Sequence, residues 1–218
     1  MLFADRADAG RQLAGVLAAR LPRLRDAQPL VLGIPRGGVI IGREVARALG
    51  APLDVIVARK LGAPGHEELG IGAVAPDGTR VLDDEIVTAL GVSDAYIEAV
   101  TRRERAELER RMRRFRGDRP FPPLAGRTVI VVDDGLATGV TARAALSAVR
   151  RAKAETIVFA APVCSADGCD TLTAEGYVVI CVERPPDFRG VGEWYVDFEQ
   201  VSDETVVEVL RQAATGPA

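Results

Sequence analysis

The sequence has few of the side chains that most often carry nucleophilic or metal chemistry. Its 218 residues include a single histidine, His66, and three cysteines, Cys164, Cys169 and Cys181. A catalytic cysteine needs a basic partner, which is most often histidine, so this composition argues against thiol catalysis. The odd number of cysteines has no metal-type spacing, which predicts reduced and mostly buried thiols.

Long apolar runs and a strong excess of one charge are also missing. No apolar run reaches membrane-spanning length, and the N-terminus contains acids instead of a signal-peptide core, so we expect a cytoplasmic protein with no membrane partner. The formal net charge of −3 argues against bulk binding of nucleic acid. The 48% of hydrophobic residues suffices for a full core, and one domain with a small appendage is expected.

The strongest local pattern is a buried strand followed by two acids and a loop of small residues. Residues 129–132 are apolar and β-branched, Asp133 and Asp134 follow, and residues 142–152 have apolar side chains at helical spacing. Free N–H groups at the start of that helix favour an anion. The two carboxylates can accept hydrogen bonds from sugar hydroxyls or bind a hydrated Mg²⁺. The pattern therefore predicts a ribose 5-phosphate site.

This order of parts resembles the motif that binds phosphoribosyl diphosphate (PRPP) in type I phosphoribosyltransferases. The motif reads VIVVDDGLATGVT over residues 129–141, and it departs from most members at Gly135, where they carry an aliphatic residue. The resemblance implies that Asp133 and Asp134 are catalytic and bind Mg²⁺ together with PRPP. It implies a PRPP-binding set made of Asp133, Asp134, Gly135, Leu136, Ala137, Thr138, Gly139, Val140 and Thr141.

A second unit of strand, glycine loop and helix precedes the motif. Residues 30–33 are a short apolar run, Arg36, Gly37 and Gly38 follow, and residues 39–49 have a helical pattern. An arginine in such a loop suits a bidentate grip on a phosphate or diphosphate. In the resembled family, the loop after the first strand binds the diphosphate end of PRPP and often holds a non-proline cis peptide. The resemblance thus implies a catalytic role for Arg36, PRPP contacts from Gly37 and Gly38, and backbone strain near them.

Residues 54–61 read as a third apolar strand that ends in Arg59 and Lys60. The carboxyl end of this strand should meet the same crevice, so Lys60 is our preferred further cation for a PRPP phosphate and is counted as catalytic. Residues 62–78 are rich in Gly and Pro with little periodicity. The resembled family has a mobile loop at this position that closes over the substrates, and we interpret residues 62–78 as that loop or its base.

Residues 83–90 and 93–116 are two helical stretches, and arginine dominates the later half of the second. Glutamates alternate with these arginines at spacings that allow exposed ion pairs on a helix. We interpret the second helix as solvated or facing a dimer partner. A nucleic-acid surface is disfavoured because interleaved aromatic residues are missing.

The alternation of strands and helices predicts the fold class α/β, with a doubly wound, mostly parallel sheet flanked by helices, like that of type I phosphoribosyltransferases. We expect a single domain with its core at about 30–182 and an inserted helical segment at about 83–116. A small hood is expected from about 1–22 and 183–218.

The end of the chain holds its densest aromatic cluster, at the position where phosphoribosyltransferases place a base-binding hood. Phe188 or Trp194 could stack on a flat base, or these rings could pack the hood against the first helix. The run weakly resembles a stretch of the hypoxanthine–guanine enzymes, with one residue more between Gly192 and Asp197, and the resemblance implies Asp197 as a further metal ligand.

The resemblance implies transfer of ribose 5-phosphate from PRPP to an acceptor, a nucleobase in nucleotide salvage, with release of diphosphate, by a homodimer. Hypoxanthine–guanine and xanthine enzymes carry an Asp at the position of Ala137, whereas adenine and uracil enzymes share the Ala. A 6-oxopurine is therefore less favoured as the acceptor. The alternative is a regulatory protein that senses PRPP or nucleotides with little or no catalysis. An unrelated α/β phosphate-binding protein ranks below both, and the Arg36 loop favours the enzyme.

Overall fold

The computed structural model describes residues 2–215 of the chain, apart from the side chains of Glu68 and Thr215. Apolar runs that end at glycine or proline form the strands, and segments with apolar residues three and four apart form the helices between them. In chain order the elements are α1 (Arg6–Arg20), β1 (Leu30–Gly33), α2 (Gly37–Leu49), β2 (Leu53–Val55), β3 (Arg59–Ala63), β4 (His66–Val74), β5 (Arg80–Leu82), α3 (Asp84–Ala89), α4 (Asp94–Arg116), β6 (Thr128–Val132), α5 (Val140–Arg151), β7 (Thr156–Val163), α6 (Ala166–Ala174), β8 (Val178–Glu183), a short 3₁₀ helix (Val191–Trp194) and α7 (Asp203–Thr215).

The centre of the fold is a five-stranded parallel sheet in the order β2-β1-β6-β7-β8. Its strands are apolar on both faces, as a sheet covered on both sides requires. Val31 and Ile130 pack with α1, α2 and α7 on one face, while Leu32 and Val131 pack with α5 and α6 on the other. The predicted doubly wound parallel sheet is therefore confirmed.

The predicted third strand is wrong in one respect, because residues 54–61 do not form a single strand. The parallel strand β2 ends at Val55, and β3 begins at Arg59 in a separate antiparallel sheet of order β3-β4-β5. Residues 56–57 between them are almost fully buried, so the apolar run continues through the break and conceals it.

Most of residues 62–78, interpreted from the sequence as a mobile loop or its base, form strands of the antiparallel sheet. Its glycines permit close approach of neighbouring strands. A Cβ atom at Gly62 would lie 2.7 Å from the Glu67 carbonyl oxygen, and one at Gly72 would overlap the Val81 carbonyl oxygen. The glycines therefore serve strand packing here, although in the sequence they are typical of a loop.

The arginine-rich helix α4 begins after Ser93, whose hydroxyl accepts from the Tyr96 N–H as a helix cap. At the other end of α4, Arg116 donates two hydrogen bonds of 2.9 and 2.8 Å to the buried carboxylate of Asp54 on β2. Arginines along the helix pair with its glutamates, among them Arg110 and Arg111 with Glu107. The helix is thus fixed to the sheet by its C-terminus. No helix among residues 2–215 is both long enough and apolar enough to cross a membrane.

Candidate active site

The loops after β1 and β6 meet at the carboxyl edge of the parallel sheet. A Cβ atom at Gly37 would overlap the carboxylate of Asp134, and one at Gly38 would lie 2.8 Å from the Cα atom of Asp133. The two strands are neighbours in the sheet, so their ends are brought together by the strand order itself. The structure therefore places Gly37 and Gly38 directly against Asp133 and Asp134. The peptide bond between Pro35 and Arg36 is cis, at the position where the family resemblance implied one.

The two acids are crowded and largely removed from water. Burial raises the pKa of Asp133, and the negative charge of Asp134 raises it further. Burial also raises the pKa of Asp134, although the guanidinium of Arg6 works in the opposite direction. Two adjacent carboxylates in a desolvated position favour a bound cation or bound hydroxyl donors, because either would offset the cost of their charge.

Arg6 on α1 is part of this site, and sequence reasoning missed it. Its Nε atom lies 2.9 Å from Asp134 Oδ2, and its guanidinium also donates to the Glu199 carbonyl at 2.8 Å. The guanidinium lies 3.9 Å from the centre of the Phe198 ring, a cation–π contact that helps to fix it. No local pattern marks Arg6, because its partner lies 128 residues away in the sequence.

Tyr195 is a second residue that sequence reasoning did not single out. Its hydroxyl donates to the backbone carbonyl of Asp134 at 2.6 Å, and its ring packs against Phe3 and Phe198. Burial raises the pKa of this phenol, so it stays protonated and remains a donor. The sequence signal that could have identified Tyr195 as a site residue is its position in the aromatic cluster near the chain end.

The loop between β6 and α5 presents a row of free backbone N–H groups. Helix α5 begins at Val140 after Gly139, which has φ +75°. Within residues 2–215, no backbone carbonyl accepts from the N–H groups of residues 137–142. Any helix start leaves four such groups free, and the additional two come from Ala137 and Thr138. This arrangement suits the oxygens of a phosphate.

The same loop is held from behind by the turn after β7. The Leu136 N–H donates to the Val163 carbonyl at 2.9 Å, and the Ser165 hydroxyl donates to the Ala137 carbonyl at 2.6 Å. A side chain at Gly135 would collide with Val191, which explains why this chain has glycine where the resembled family carries an aliphatic residue. The loop therefore has a defined shape before any ligand arrives.

The other two predicted catalytic residues, Arg36 and Lys60, have contacts with other parts of the chain. The Arg36 guanidinium lies 3.8 Å from Asp203 Oδ1 at the start of α7. Lys60 lies on β3 in the antiparallel sheet and not at the end of a parallel strand, with its aliphatic stem beside Gly70.

Phe188 and Trp194 are half-buried and pack against the core on the α1 face of the sheet. Asp197 is exposed, and its Oδ1 accepts from the Glu199 N–H at 2.9 Å. Among the side chains that the structure describes, Asp133, Asp134 and Asp197 do not form a group within 4.8 Å of one another, and the metal-binding role of Asp197 stays a prediction. The backbone of Asp197 is instead bonded to Ala4, and Arg6 is the residue that contacts Asp134.

Comparison with known proteins points in one direction. The family model described as a phosphoribosyl transferase domain matches residues 7–199. A protein of Mycobacterium tuberculosis strain H37Rv, provisionally named as a phosphoribosyl transferase, is 46% identical over 97% of this chain and 47% of its own length. This chain thus spans about half the length of the curated relatives that it matches first.

Two further similarities add detail. The crystal structure of TT1426 from Thermus thermophilus superimposes with a TM-score of 0.81 at 42% identity, covering 96% of this chain and 98% of that one. An orotate phosphoribosyltransferase of Sphingopyxis alaskensis is 46% identical over 90 residues, which are 41% of this chain and 43% of that protein.

Proposed function

The chain belongs to the phosphoribosyl transferase domain family, and on this premise we propose that it transfers ribose 5-phosphate from PRPP to an acceptor with release of diphosphate. The observation that carries the proposal is the contact between the two loops. Gly37 and Gly38 lie against Asp133 and Asp134, and the free N–H groups of residues 137–142 follow directly. One ligand with a phosphate, a diol and a diphosphate would satisfy all three features.

Each part of the site has a separate task in this proposal. The N–H groups of residues 137–142, with the hydroxyls of Thr138 and Thr141, bind the 5′-phosphate. Asp133 and Asp134 accept hydrogen bonds from the ribose hydroxyls and stabilise the positive charge that develops on the sugar as the diphosphate leaves. Fixing the sugar at both ends positions its anomeric carbon toward the acceptor.

The donor set of the site fits a magnesium ion bound together with PRPP. Asp134 N–H donates to Asp133 Oδ1 at 2.8 Å and Arg6 binds Asp134 Oδ2, so each carboxylate keeps a second oxygen outside these two contacts. Carboxylate oxygens combined with substrate oxygens and water are the ligands that Mg²⁺ prefers. Asp133 and Asp134 would hold the ion, which supplies charge neutralisation for the leaving diphosphate when bound.

Arg36 and Lys60 remain our candidates for cations that neutralise the diphosphate. The weak contact of Arg36 with Asp203 leaves its guanidinium able to turn toward an incoming diphosphate. Losing one such contact costs on the order of 10²–10³ in turnover in well-studied sites. We therefore expect Arg36→Gln and Lys60→Gln to lower pyrophosphate release, whereas the exposed Arg47→Gln, which makes the same charge change on α2, leaves it unchanged.

Binding of PRPP is tested by titration calorimetry in the presence of Mg²⁺, with wild-type protein and the double variant Asp133→Asn/Asp134→Asn. Each lost hydrogen bond to a charged group is worth about 1.5–3 kcal/mol, so affinity should fall by roughly 100-fold or more. The double variant Asp26→Asn/Asp118→Asn removes the same charge from two exposed positions and should bind like wild type. Equal affinity of all three proteins, or no heat with wild type, would overturn the proposal.

The acceptor is addressed by measuring pyrophosphate release from PRPP and Mg²⁺ with a panel of nucleobases. Orotate is included because of the 90-residue similarity to an orotate enzyme, and adenine and uracil because Ala137 replaces the acid of the 6-oxopurine enzymes. PRPP binding without release on any acceptor would favour the alternative function, a regulatory protein that senses PRPP or nucleotides. We propose the enzyme first, because a sensor of nucleoside monophosphates does not need the diphosphate loop around Arg36.

A further inference from the structure

We propose that Cys164, Cys169 and Cys181 form a binding site for one thiophilic metal ion, with zinc as the probe. The three sulfur atoms all lie within 4.8 Å of one another, and they are the only group of three potential ligands that meets this distance among the side chains that the structure describes. The spacing of these cysteines in the sequence gave no sign of a metal site. Folding creates it, because β7, α6 and β8 form one crossover that returns the chain to the neighbouring strand.

The three cysteines lie on or directly beside three different elements. Cys164 follows the last residue of β7 and its N–H donates to the Glu183 carbonyl at 3.0 Å. Cys169 lies on α6, whose first turn is capped by the Ser165 hydroxyl. Cys181 lies on β8, paired with Ala161 on β7. Three thiols fixed in one place lose little conformational freedom when a metal binds them.

The spacing of the sulfurs suits thiolate coordination. With Zn–S bonds of about 2.3 Å, sulfurs in a tetrahedral site are separated by about 3.8 Å, so the group needs to close by at most about 1 Å. Soft sulfur ligands select zinc and copper(I) over magnesium and calcium. The prediction of buried thiols is confirmed for Cys164 and Cys169, while Cys181 is half-buried.

The surroundings supply a route for the ion, charge compensation and room for a fourth ligand. A cavity of about 310 Å³ opens beside the cluster, and its lining includes Cys169, Cys181, Thr173, Arg20 and Arg184. Three thiolates with a divalent ion carry one net negative charge, which Arg20 offsets together with Arg184, whose guanidinium also pairs with Asp170. The open side of the cluster leaves the fourth coordination position to water or a small anion, as in zinc sites with three protein ligands.

The site is tested with the full chain, prepared without a metal-binding tag, stripped with a chelator under reducing conditions and then dialysed against Zn²⁺. We expect one zinc per chain by native mass spectrometry, and a thiolate-to-cobalt charge-transfer band when Co²⁺ replaces zinc. Cys169→Ala and Cys181→Ala should each weaken zinc binding by more than the roughly 10–100-fold that is typical when a hydrogen-bond partner of a metal ligand is removed. His66→Gln, which removes the sole histidine, should bind zinc like wild type.

The proposal is overturned if wild-type protein retains less than a tenth of an equivalent of zinc, or if both cysteine variants bind it as well as wild type. Loss of zinc in His66→Gln would likewise assign the metal elsewhere. Should the cysteine variants fail to fold, the reaction of the native thiols with a chromogenic disulfide reagent decides the matter in wild-type protein. Zinc must then slow that reaction, and an unchanged rate refutes the site.

Discussion

Gly38 lies where the two loops of the site touch, and replacing it by alanine tests that contact directly. A methyl group at this position would overlap the Val132 carbonyl oxygen and lie 2.8 Å from the Asp133 Cα atom. Both neighbours are backbone atoms of the motif, so neither can move aside as a flexible side chain could. The substitution must push the end of β1 away from the end of β6.

The size of the effect follows from overpacking of a dense region. Forcing an extra methyl group into such a contact costs about 1–3 kcal/mol. With a urea m-value of about 2 kcal/mol/M, the denaturation midpoint should fall by about 0.5–1.5 M. If the loops jointly bind PRPP, the affinity measured by calorimetry should fall as well, because the displaced acids no longer face the diphosphate loop.

Gly15→Ala is the matched control, since Gly15 lies inside α1 and a methyl group there would meet no atom within 4 Å. Alanine is preferred over glycine in a helix by about 1 kcal/mol, so this variant should unfold at higher urea and bind PRPP normally. A Gly38→Ala protein that matched wild type in both stability and affinity would refute the packed contact between the loops.

Three further results are expected. Burial raises the pKa of Asp133 and Asp134 in the folded protein, so their contribution to stability is greatest below pH 4 and is lost as pH rises through the raised values. Without ligand, Asp133→Asn should therefore have a higher melting temperature than wild type at pH 8 and should lose that advantage at acid pH. An equal difference in melting temperature at both pH values would contradict burial of the charged carboxylate as the cause. Asp54→Ala leaves the Arg116 charge buried without its partner and should lower the free energy of unfolding by about 3–5 kcal/mol in urea titrations. Glu109→Ala breaks an exposed pair on the same helix, and a loss above about 1 kcal/mol would show that exposed pairs matter more here than expected.

The central strand and loop could be predicted because their signals are local. Residues 129–141 carry an apolar run, two acids and a glycine-rich turn in one uninterrupted segment, and the structure has β6 and α5 on either side of that turn. The family resemblance also gave the place of the cis peptide before Arg36. The fold class followed from the alternation of such segments.

The remainder depends on contacts between distant parts of the chain. Arg6 reaches Asp134 only once α1 packs beside the sheet, and the three cysteines meet only once β7, α6 and β8 are in place. The antiparallel sheet was missed because Gly62 and Gly72 are typical of loops in sequence, while in the structure they allow backbones to pack closely. Identity of a residue alone does not separate these two uses of glycine.

The first residues of the described chain are joined by backbone hydrogen bonds to the stretch around Tyr195. Phe3 donates its N–H to the Trp194 carbonyl and accepts from the Val196 N–H, both at 2.8 Å, and the next turn carries Arg6 to Asp134. A sugar that competes with Arg6 for the Asp134 carboxylate would therefore disturb the pairing of Phe3 with Trp194 and Val196. Hydrogen exchange of the Phe3 and Val196 amides would then report ligand binding at Asp134, even though the phosphate of that ligand lies elsewhere in the site.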